Sequence, residues 1–298
     1  MKKVIVTGGA GFIGSHLVEG LVRKNYKVTV LDNLSTGNLK NLSLLKKKIK
    51  FIKCDLSKEK NLFLLFKNTK FVFHLAGLSK TIESIKNPKK YYKANVIATK
   101  NILNACRKVK IKKLIYAASA SCYGNPREIP TSEKAKIKNL TPYAKTKWKA
   151  ERLVINESKL KNFSSISLRF FNVYGPRSLA TNSYSSVISI FLKQKLKNKP
   201  LTIYGDGSQT RDFIYVSDVV NVMLKVAKSK IYKQIFNVAS QKSLTINKIA
   251  KIFGGKIEYL PQRKGEPKYS EANIKKIKTL LKWKPKVSIN KGINYLLK

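Results

Sequence analysis

The sequence is poor in acidic residues, cysteine and long apolar runs. Its 298 residues include 15 aspartates and glutamates against 62 lysines and arginines, and only three cysteines. Cys54, Cys106 and Cys122 are widely separated and have no partner at metal-ligand spacing, which argues against a disulfide framework and against a zinc site. We therefore expect three buried or half-buried free thiols and no bound metal.

No apolar run approaches the roughly 20 residues of a membrane-spanning helix. The apolar stretch behind Lys2 and Lys3 is interrupted by Gly8 and Gly9, which makes it too short for a secretory signal. We therefore expect a soluble, cytoplasmic protein with no membrane partner. A chain of this length with 43% hydrophobic residues can bury a substantial core, in one large domain or two moderate ones.

The net charge of +47 is typical of nucleic-acid-binding proteins and also of lysine-rich surfaces. The lysines recur from Lys2 to Lys298 without forming a basic tail, and no nucleic-acid-binding motif occurs among them. We interpret most of them as a solvated surface that attracts anionic ligands, and expect no specific nucleic-acid partner. The alternative, specific nucleic-acid binding, predicts tight association that weakens steeply with salt.

The first half of the chain alternates apolar runs with helical periods. Runs such as KVIVTG, KVTVLD, KFVFHLAG and KKLIYAAS are typical of strands buried on both faces. Helices between such strands form the crossovers of a parallel sheet. We predict an α/β fold with a Rossmann-type doubly wound parallel sheet.

After Gly175 the elements become shorter and the loops richer in Gly, Pro, Asn and Ser. We predict an NAD-binding domain over residues 1–174, rejoined by parts near 211–240, and a smaller C-terminal α/β substrate lobe over most of 175–298. A helix is expected near 185–197. A strand near 234–238 is expected to return to the main sheet.

The glycines of TGGAGFIG follow the first strand and open a helix, and Asp32 ends the next strand about 20 residues later. Alone, this spacing fits a tight turn as well as a phosphate-binding loop. In this context the glycines let backbone N–H groups approach a pyrophosphate at the helix N-terminus. A carboxylate at Asp32 accepts hydrogen bonds from the ribose hydroxyls and repels a 2′-phosphate, which favours NAD over NADP.

The segment TPYAKTKWK places Tyr143 and Lys147 on one face of a helix that Thr141 is expected to cap. A phenol is a base near neutrality only when a nearby cation stabilises the phenolate, and Lys147 is such a cation. An exposed helical pair is the alternative for this spacing alone. Ser119 and Ser121 lie at the carboxyl end of the strand that contains LIYAAS, where open α/β sheets bind ligands.

These motifs, together with LDNLSTG, HLAG, RFFNVYGPR and YGDGSQTRDFIYVSDV, resemble the extended short-chain dehydrogenase/reductase family along essentially the whole chain. Within it they are most similar to nucleotide-sugar epimerases and dehydratases, above all UDP-N-acetylglucosamine and UDP-glucose 4-epimerases. The resemblance implies that Tyr143 is the general base and that Ser119 hydrogen-bonds the reacting sugar hydroxyl. It also implies that Lys147 binds the nicotinamide ribose and lowers the tyrosine pKa.

The resemblance further implies two sets of binding residues. Those expected to bind NAD are Gly8, Gly11, Phe12, Ile13, Gly14, Asp32, Asn33, Asp55, Leu56, Ala76, Gly77, Tyr143 and Lys147. Those expected to bind the UDP-sugar are Ser119, Asn172, Arg211, Arg263 and Ser270. The arginines suit the diphosphate because their fork holds two oxygens at once. Asn95 matches a position behind the site, where a buried or capped amide is an equal alternative, and a homodimer through two helices is the family's usual arrangement.

The two residues after Ser119 determine the expected reaction. Dehydratases of this family have an Asp–Glu pair there and decarboxylases keep the glutamate, whereas this chain has Ala120 and Ser121. Without an acid to protonate a leaving hydroxyl, we expect hydride exchange alone. This predicts NAD-dependent 4-epimerisation of a UDP-hexose through a transient 4-keto sugar, with the cofactor retained.

Ser270 stands where family members restricted to plain hexoses have a tyrosine, which favours UDP-GlcNAc and UDP-GalNAc, with UDP-glucose and UDP-galactose also accepted. Lys80 would suit an acidic sugar, so a UDP-glucuronate 4-epimerase is the nearest alternative. Another nucleotide-sugar short-chain dehydrogenase and a non-catalytic nucleotide-binding protein are further alternatives. Asn273 replaces the aspartate usual in the family, which is expected to weaken a local cap or ion pair.

Overall fold

The computed structural model describes residues 1–59, 61–160, 163–178, 186–262 and 268–298. Its strands are β1 (Lys3–Thr7), β2 (Lys27–Asp32), β3 (Ile49–Lys53), β4 (Thr69–His74), β5 (Lys113–Ser119), β6 (Ser164–Phe170), β7 (Asn172–Tyr174), β8 (Leu201–Tyr204), β9 (Thr210–Tyr215), β10 (Gln234–Val238), β11 (Ser243–Thr245) and β12 (Ile257–Leu260). Its α-helices are α1 (Phe12–Arg23), α2 (Leu62–Phe66), α3 (Thr81–Lys86), α4 (Pro88–Tyr92), α5 (Ala98–Val109), α6 (Pro142–Lys159), α7 (Val187–Leu196), α8 (Val216–Lys228), α9 (Ile246–Phe253), α10 (Lys275–Leu281) and α11 (Ile289–Leu297). A π-helical turn, Lys93–Ile97, joins α4 to α5.

Seven strands form the main sheet in the order β3-β2-β1-β4-β5-β6-β10. The pairs β1–β2, β2–β3, β1–β4 and β4–β5 are all parallel. The order changes direction between β1 and β4, and open α/β sheets bind ligands outside the carboxyl ends of the strands at such a switch point. The predicted doubly wound α/β fold is confirmed.

The main sheet is apolar on both faces, as its sequence pattern predicts. Val4, Ile5 and Val6 of β1 have no exposed surface. On one face, α5 packs Ile102 and Cys106, one helical turn apart, into a core shared with α2 and α6. Burial of a side chain such as Ile102 contributes roughly 1.5–3 kcal/mol to folding. The packed core between the sheet and these helices therefore fixes the positions of the strand ends.

All three cysteines are free and buried, as predicted. Burial raises the pKa of the Cys54 thiol to about 11 and that of the Cys122 thiol to about 12. A buried thiol of high pKa is a poor nucleophile, because the thiolate is the reactive form. The cysteines therefore serve as small core residues.

The chain divides into two compact units. The first comprises Met1–Cys122, Asn139–Arg169 and Val220–Phe236, and the second comprises Tyr123–Lys138, Phe170–Val219 and Asn237–Lys298. The second unit contains two small sheets, β11-β9-β7 and β12-β8. The helix expected near 185–197 is α7, and the strand expected near 234–238 is β10, beside β6 in the main sheet. No helix in the described part of the chain is long and apolar enough to span a membrane.

Candidate active site

The glycine turn between β1 and α1 leaves no room for side chains. Gly8 has a φ of +69°, and a Cβ atom there would lie 2.7 Å from the backbone nitrogen of Ala76. A Cβ atom at Gly14 would overlap the carbonyl oxygen of Gly8. Helix α1 begins without a side-chain cap at Gly11 and without an acidic residue in its first turn. The bare backbone and the positive end of the helix dipole therefore suit an anion such as a pyrophosphate.

Asp32, the last residue of β2, presents a fixed carboxylate. It is 7% exposed, and its two oxygens accept the backbone N–H groups of Ala10 at 3.0 Å and Leu34 at 2.8 Å. Burial raises the pKa of Asp32, and these two hydrogen bonds oppose the rise. A carboxylate offers about four acceptor sites, so the two bonds orient the group and leave acceptor capacity for a diol.

The other predicted cofactor residues follow the carboxyl ends of neighbouring strands. Asp55 comes after β3, and its Oδ1 accepts the backbone N–H of Ser57 at 3.0 Å and its hydroxyl at 2.8 Å. Asn33 Oδ1 accepts the backbone N–H of Ser35 at 3.0 Å. Ala76 and Gly77 follow β4. Because β1, β2, β3 and β4 are parallel neighbours, these residues share one edge of the sheet, and together with the glycine turn they fit a dinucleotide.

Ser119 and Tyr143 come together where β5 ends and α6 begins. Thr141 Oγ1 caps α6 by accepting the backbone N–H of Ala144 at 3.2 Å, as predicted. Burial raises the pKa of the Tyr143 phenol, while the neighbouring side chains of Ser119 and Ser121 lower it. The backbone N–H of Ser121 donates to Ser119 Oγ at 3.2 Å. That bond fixes the position of Ser119 Oγ and uses one of its two acceptor lone pairs.

Lys147 is one helical turn beyond Tyr143 and is buried. Its Nζ donates to the carbonyl of Ala117 at 2.6 Å and lies 4.4 Å from the centre of the Tyr116 ring. Burial lowers the pKa of Lys147 to about 7, and the nearby Glu151 carboxylate opposes that fall. For Tyr143, burial raises the pKa more than the neighbouring serine side chains lower it, so the pKa lies above its ordinary value.

A buried ion pair behind Lys147 escaped the sequence analysis. Glu151, four residues after Lys147 on α6, accepts two hydrogen bonds from Arg169 of β6, at 2.6 Å from Nη2 and 2.9 Å from Nε. Ser167 Oγ also donates to this carboxylate at 2.9 Å. Two sequence features could have indicated this pair: the four-residue spacing of Lys147 and Glu151, and the single arginine in the run SSISLRF. The pair anchors the middle of α6 to the sheet.

In the second unit, three predicted substrate residues lie around β9. The side-chain amide of Asn172 donates to the carbonyl of Asp212 at 3.1 Å. Arg211 precedes Asp212 on β9, and the backbone N–H of Ser270 contacts Thr210 Oγ1 at 3.4 Å. Arg263, the fourth predicted substrate residue of this group, lies outside the described residues.

The Asp212 carboxylate, which sequence reasoning did not single out, organises the loops beside β9. It is fully buried and accepts the backbone N–H groups of Ser240 at 2.8 Å, Gln241 at 3.1 Å and Ala272 at 3.2 Å. The Ser240 hydroxyl donates to it as well, at 2.7 Å. The segment that carries Ser270 is thereby tied to the strand that carries Arg211.

Asn273 and Lys80, the two departures from the family pattern, each make a local contact. Asn273 Oδ1 accepts the backbone N–H of Lys275, the first residue of α10, at 2.9 Å. Lys80 Nζ lies 3.9 Å from the Glu83 carboxylate in an exposed pair. Among the residues that the structure describes, no group of three or more His, Cys, Asp or Glu side chains is placed to hold a metal ion.

Known proteins match this chain over most of its length. The family model "NAD dependent epimerase/dehydratase family" matches residues 4–239. A putative UDP-glucose 4-epimerase of Methanocaldococcus jannaschii is 37% identical over 97% of this chain and 95% of its own length.

Two solved structures share the fold over nearly their full length. A UDP-N-acetylglucosamine 4-epimerase from Methanobrevibacter ruminantium M1, in complex with UDP-N-acetylmuramic acid, has a TM-score of 0.94 and 33% identity, covering 99% of this chain and 98% of that chain. A UDP-glucuronic acid 4-epimerase from Bacillus cereus, in complex with UDP-glucuronic acid and NAD, has a TM-score of 0.91 and 31% identity, covering 99% of both chains. Because these matches span almost the whole sequence, the chain belongs to the NAD dependent epimerase/dehydratase family.

Proposed function

We propose that the protein interconverts the C4 epimers of UDP-N-acetylhexosamines, UDP-GlcNAc and UDP-GalNAc, and also accepts UDP-glucose and UDP-galactose. The observation that carries this proposal is the cluster of Ser119, Tyr143 and Lys147 at the end of β5, with Ala120 and Ser121 directly after the serine. The cluster supplies a base and a hydrogen-bond donor. It contains no acid that could expel a hydroxyl or assist loss of a carboxylate.

The cofactor of the family is NAD, and the residues that would hold it are those at the edge formed by β1, β2, β3 and β4. The glycine turn and the first turn of α1 would bind the pyrophosphate, and Asp32 would accept the ribose hydroxyls. Asp55 and Leu56 would lie at the adenine. When bound, NAD supplies the group that removes the hydride from C4 of the sugar and returns it.

The protein's own residues manage the proton of the sugar. Tyr143 would take the proton from the 4-hydroxyl and return it to the same oxygen when C4 acquires its inverted configuration. Ser119 would donate a hydrogen bond to the same oxygen, while its Oγ accepts the backbone N–H of Ser121. Lys147 would orient the nicotinamide ribose and stabilise the phenolate of Tyr143 by its charge. Because only a proton and a hydride are exchanged, the product is an isomer of the substrate.

The nucleotide end of the substrate would bind the second unit. Asn172 and Arg211 lie on the paired strands β7 and β9, and both carry donors suited to diphosphate oxygens. Ser270 is half-buried beside β9 and has a small side chain, which leaves space for an acetamido group. The acidic-sugar alternative rests on Lys80, which shares the exposed Glu83 carboxylate with Lys90.

Purified protein incubated with a panel of UDP-sugars tests this assignment, with the C4 epimers separated by chromatography. We expect interconversion of UDP-GlcNAc and UDP-GalNAc and of UDP-glucose and UDP-galactose. Ser270→Tyr should abolish turnover of the acetylated pair and leave the plain hexoses within about threefold, because a bulky ring excludes only the larger substrate. Ser270→Ala is the matched control and should retain both activities.

Two results would contradict the assignment. Equal losses of both activities in Ser270→Tyr would place Ser270 away from the sugar or show that the variant is damaged as a whole. Turnover of UDP-glucuronate in place of the neutral sugars would favour the acidic-sugar alternative.

Asp32 should determine the choice between NAD and NADP. We expect wild-type protein to bind NAD much more tightly than NADP, because the buried carboxylate repels a 2′-phosphate. Asp32→Ala should lower the ratio of the NADP dissociation constant to the NAD dissociation constant by about tenfold or more, equivalent to about 1.4 kcal/mol. Calorimetric titration measures both constants. Asp55→Ala is the control, because it should weaken both cofactors together and leave the ratio unchanged. Equal affinity of the wild type for both cofactors would refute the role of Asp32.

A further inference from the structure

His74 is a fully buried ionisable residue that the proposed reaction does not use. It ends β4, directly opposite Thr7 at the end of β1. Its ring makes two hydrogen bonds, one between Nδ1 and Thr7 Oγ1 at 2.8 Å and one between Nε2 and Thr99 Oγ1 at 2.9 Å. Both threonines have no exposed surface. Every polar atom of this side chain is therefore engaged within the protein.

The surrounding bonds assign the ring's tautomer. Thr99 Oγ1 donates its single proton to the carbonyl of Asn95 at 2.6 Å, so it must accept from His74 and Nε2 carries the hydrogen. Thr7 Oγ1 accepts the backbone N–H of Ala76 at 3.2 Å and donates to Nδ1. Burial, with the Lys147 charge nearby, lowers the pKa of His74 to about 3, in agreement with a neutral ring. In the series Ala76 N–H, Thr7 Oγ1, His74, Thr99 Oγ1 and Asn95 carbonyl, each group therefore donates a hydrogen bond to the next.

Asn95 extends this chain to the helix that carries Tyr143. Its Oδ1 accepts the backbone N–H of Leu78 at 2.8 Å, and its Nδ2 donates to the carbonyl of Leu78 at 3.1 Å. The same Nδ2 donates to Thr146 Oγ1 at 3.0 Å, and Thr146 Oγ1 donates to the carbonyl of Tyr143 at 3.0 Å. The segment after β4 is thus held at both ends, by Thr7 at Ala76 and by Asn95 at Leu78.

The held segment lies against both parts of the proposed site. A Cβ atom at Gly8 would approach the Ala76 nitrogen to 2.7 Å, so the glycine turn and this segment are in direct backbone contact. A Cβ atom at Gly77 would lie 2.7 Å from Asn95 Oδ1 and 3.9 Å from Lys147 Nζ. A shift of the segment would therefore disturb the glycine turn and the lysine together.

We propose that His74 is a positioning residue: as the Nε2–H tautomer, with Thr7 and Thr99, it holds the segment Leu75–Leu78 in the position that lets the glycine turn and Lys147 bind NAD. The inference rests on the proposed function for the identity of the cofactor. A purely structural network is the competing explanation. It would contribute to the stability of the sheet and have no specific effect on cofactor affinity.

Calorimetric titration of the full-length protein with NAD, without any sugar, separates the two explanations. Thr99→Val removes the hydroxyl with little change in shape and leaves the His74 Nε2–H without its acceptor. We expect its dissociation constant for NAD to rise about tenfold, equivalent to about 1.4 kcal/mol. His74→Phe should raise it by at least as much. Thr99→Ser keeps the hydroxyl and should restore affinity to within about threefold of the wild type.

Thr69→Val is the matched control. Thr69 lies on the same strand as His74 and is buried, but its hydroxyl has no hydrogen-bond partner. This variant should leave NAD affinity unchanged within about twofold. If His74→Phe does not fold, the comparison of Thr99→Val with Thr99→Ser still decides the question.

Two outcomes would overturn the inference. Wild-type affinity for NAD in Thr99→Val, with only a lower melting temperature, would show that the network is structural alone and would leave the proposed function intact. A wild-type protein that does not bind NAD would overturn both the inference and the proposed function. The affinity of the wild type therefore distinguishes the two failures.

Discussion

Tyr143→Phe should lower the rate of 4-epimerisation by about 10² to 10⁴-fold, the usual contribution of general acid–base catalysis. The ring would still fill its half-buried place at the start of α6, so the fold and NAD affinity should be preserved. Only the proton acceptor beside Ser119 and Ser121 is lost. The measurement is the initial rate of epimer formation at saturating UDP-sugar, together with a calorimetric titration of NAD.

The control for this variant is Tyr92→Phe, which removes an exposed hydroxyl from α4. It should keep the wild-type rate. Turnover by Tyr143→Phe within a few-fold of the wild type would remove Tyr143 from the mechanism. Loss of NAD binding by the same variant would instead assign the hydroxyl a role in holding the cofactor.

Arg169→Met should lower the free energy of unfolding by about 3–5 kcal/mol, because it leaves the Glu151 carboxylate buried without its partner. Glu151 and Arg169 have side-chain exposures of 2% and 4%, so water cannot replace the lost hydrogen bonds. Arg169→Lys should also destabilise the protein, since a single ammonium cannot reproduce the two bonds of the guanidinium. Urea unfolding followed by circular dichroism measures both effects.

Arg107→Met provides a matched control with the same chemistry at the surface. Arg107 pairs with Glu157 at 2.6 Å, but its side chain is 49% exposed. Exposed pairs typically contribute about 0–1 kcal/mol, so this variant should lose little stability. Equal losses of unfolding free energy in Arg107→Met and Arg169→Met would show that burial does not increase the contribution of the Glu151–Arg169 pair to stability.

The local parts of the proposed site were predictable because each depends on residues close in sequence. The glycine turn needs only a strand, three glycines and a helix start within 14 residues of the N-terminus. Tyr143 and Lys147 share a helix face by their spacing, and Thr141 caps that helix. The alternation of apolar runs and helical periods likewise predicts a parallel sheet, because its strands must be covered on both faces.

The effect of Lys147 on Tyr143 was less predictable. Sequence spacing implies that the lysine lowers the pKa of the phenol. In the folded protein, burial raises the pKa of Tyr143 and lowers that of Lys147. Desolvation depends on how many neighbours surround a group, and spacing along a helix contains no information about that.

Short-range periodicity and spacing sufficed to predict the fold class, the position of Asp32 at the end of a strand, and the helix face shared by Tyr143 and Lys147. The folded chain was needed to show that His74 bonds Thr7 and Thr99, that Glu151 bonds Arg169, and that Asn172 and Ser270 both contact the strand that carries Arg211. The physical reason is that these contacts join residues far apart in the chain. Strand order and register set such distances, and both follow from packing of the whole core.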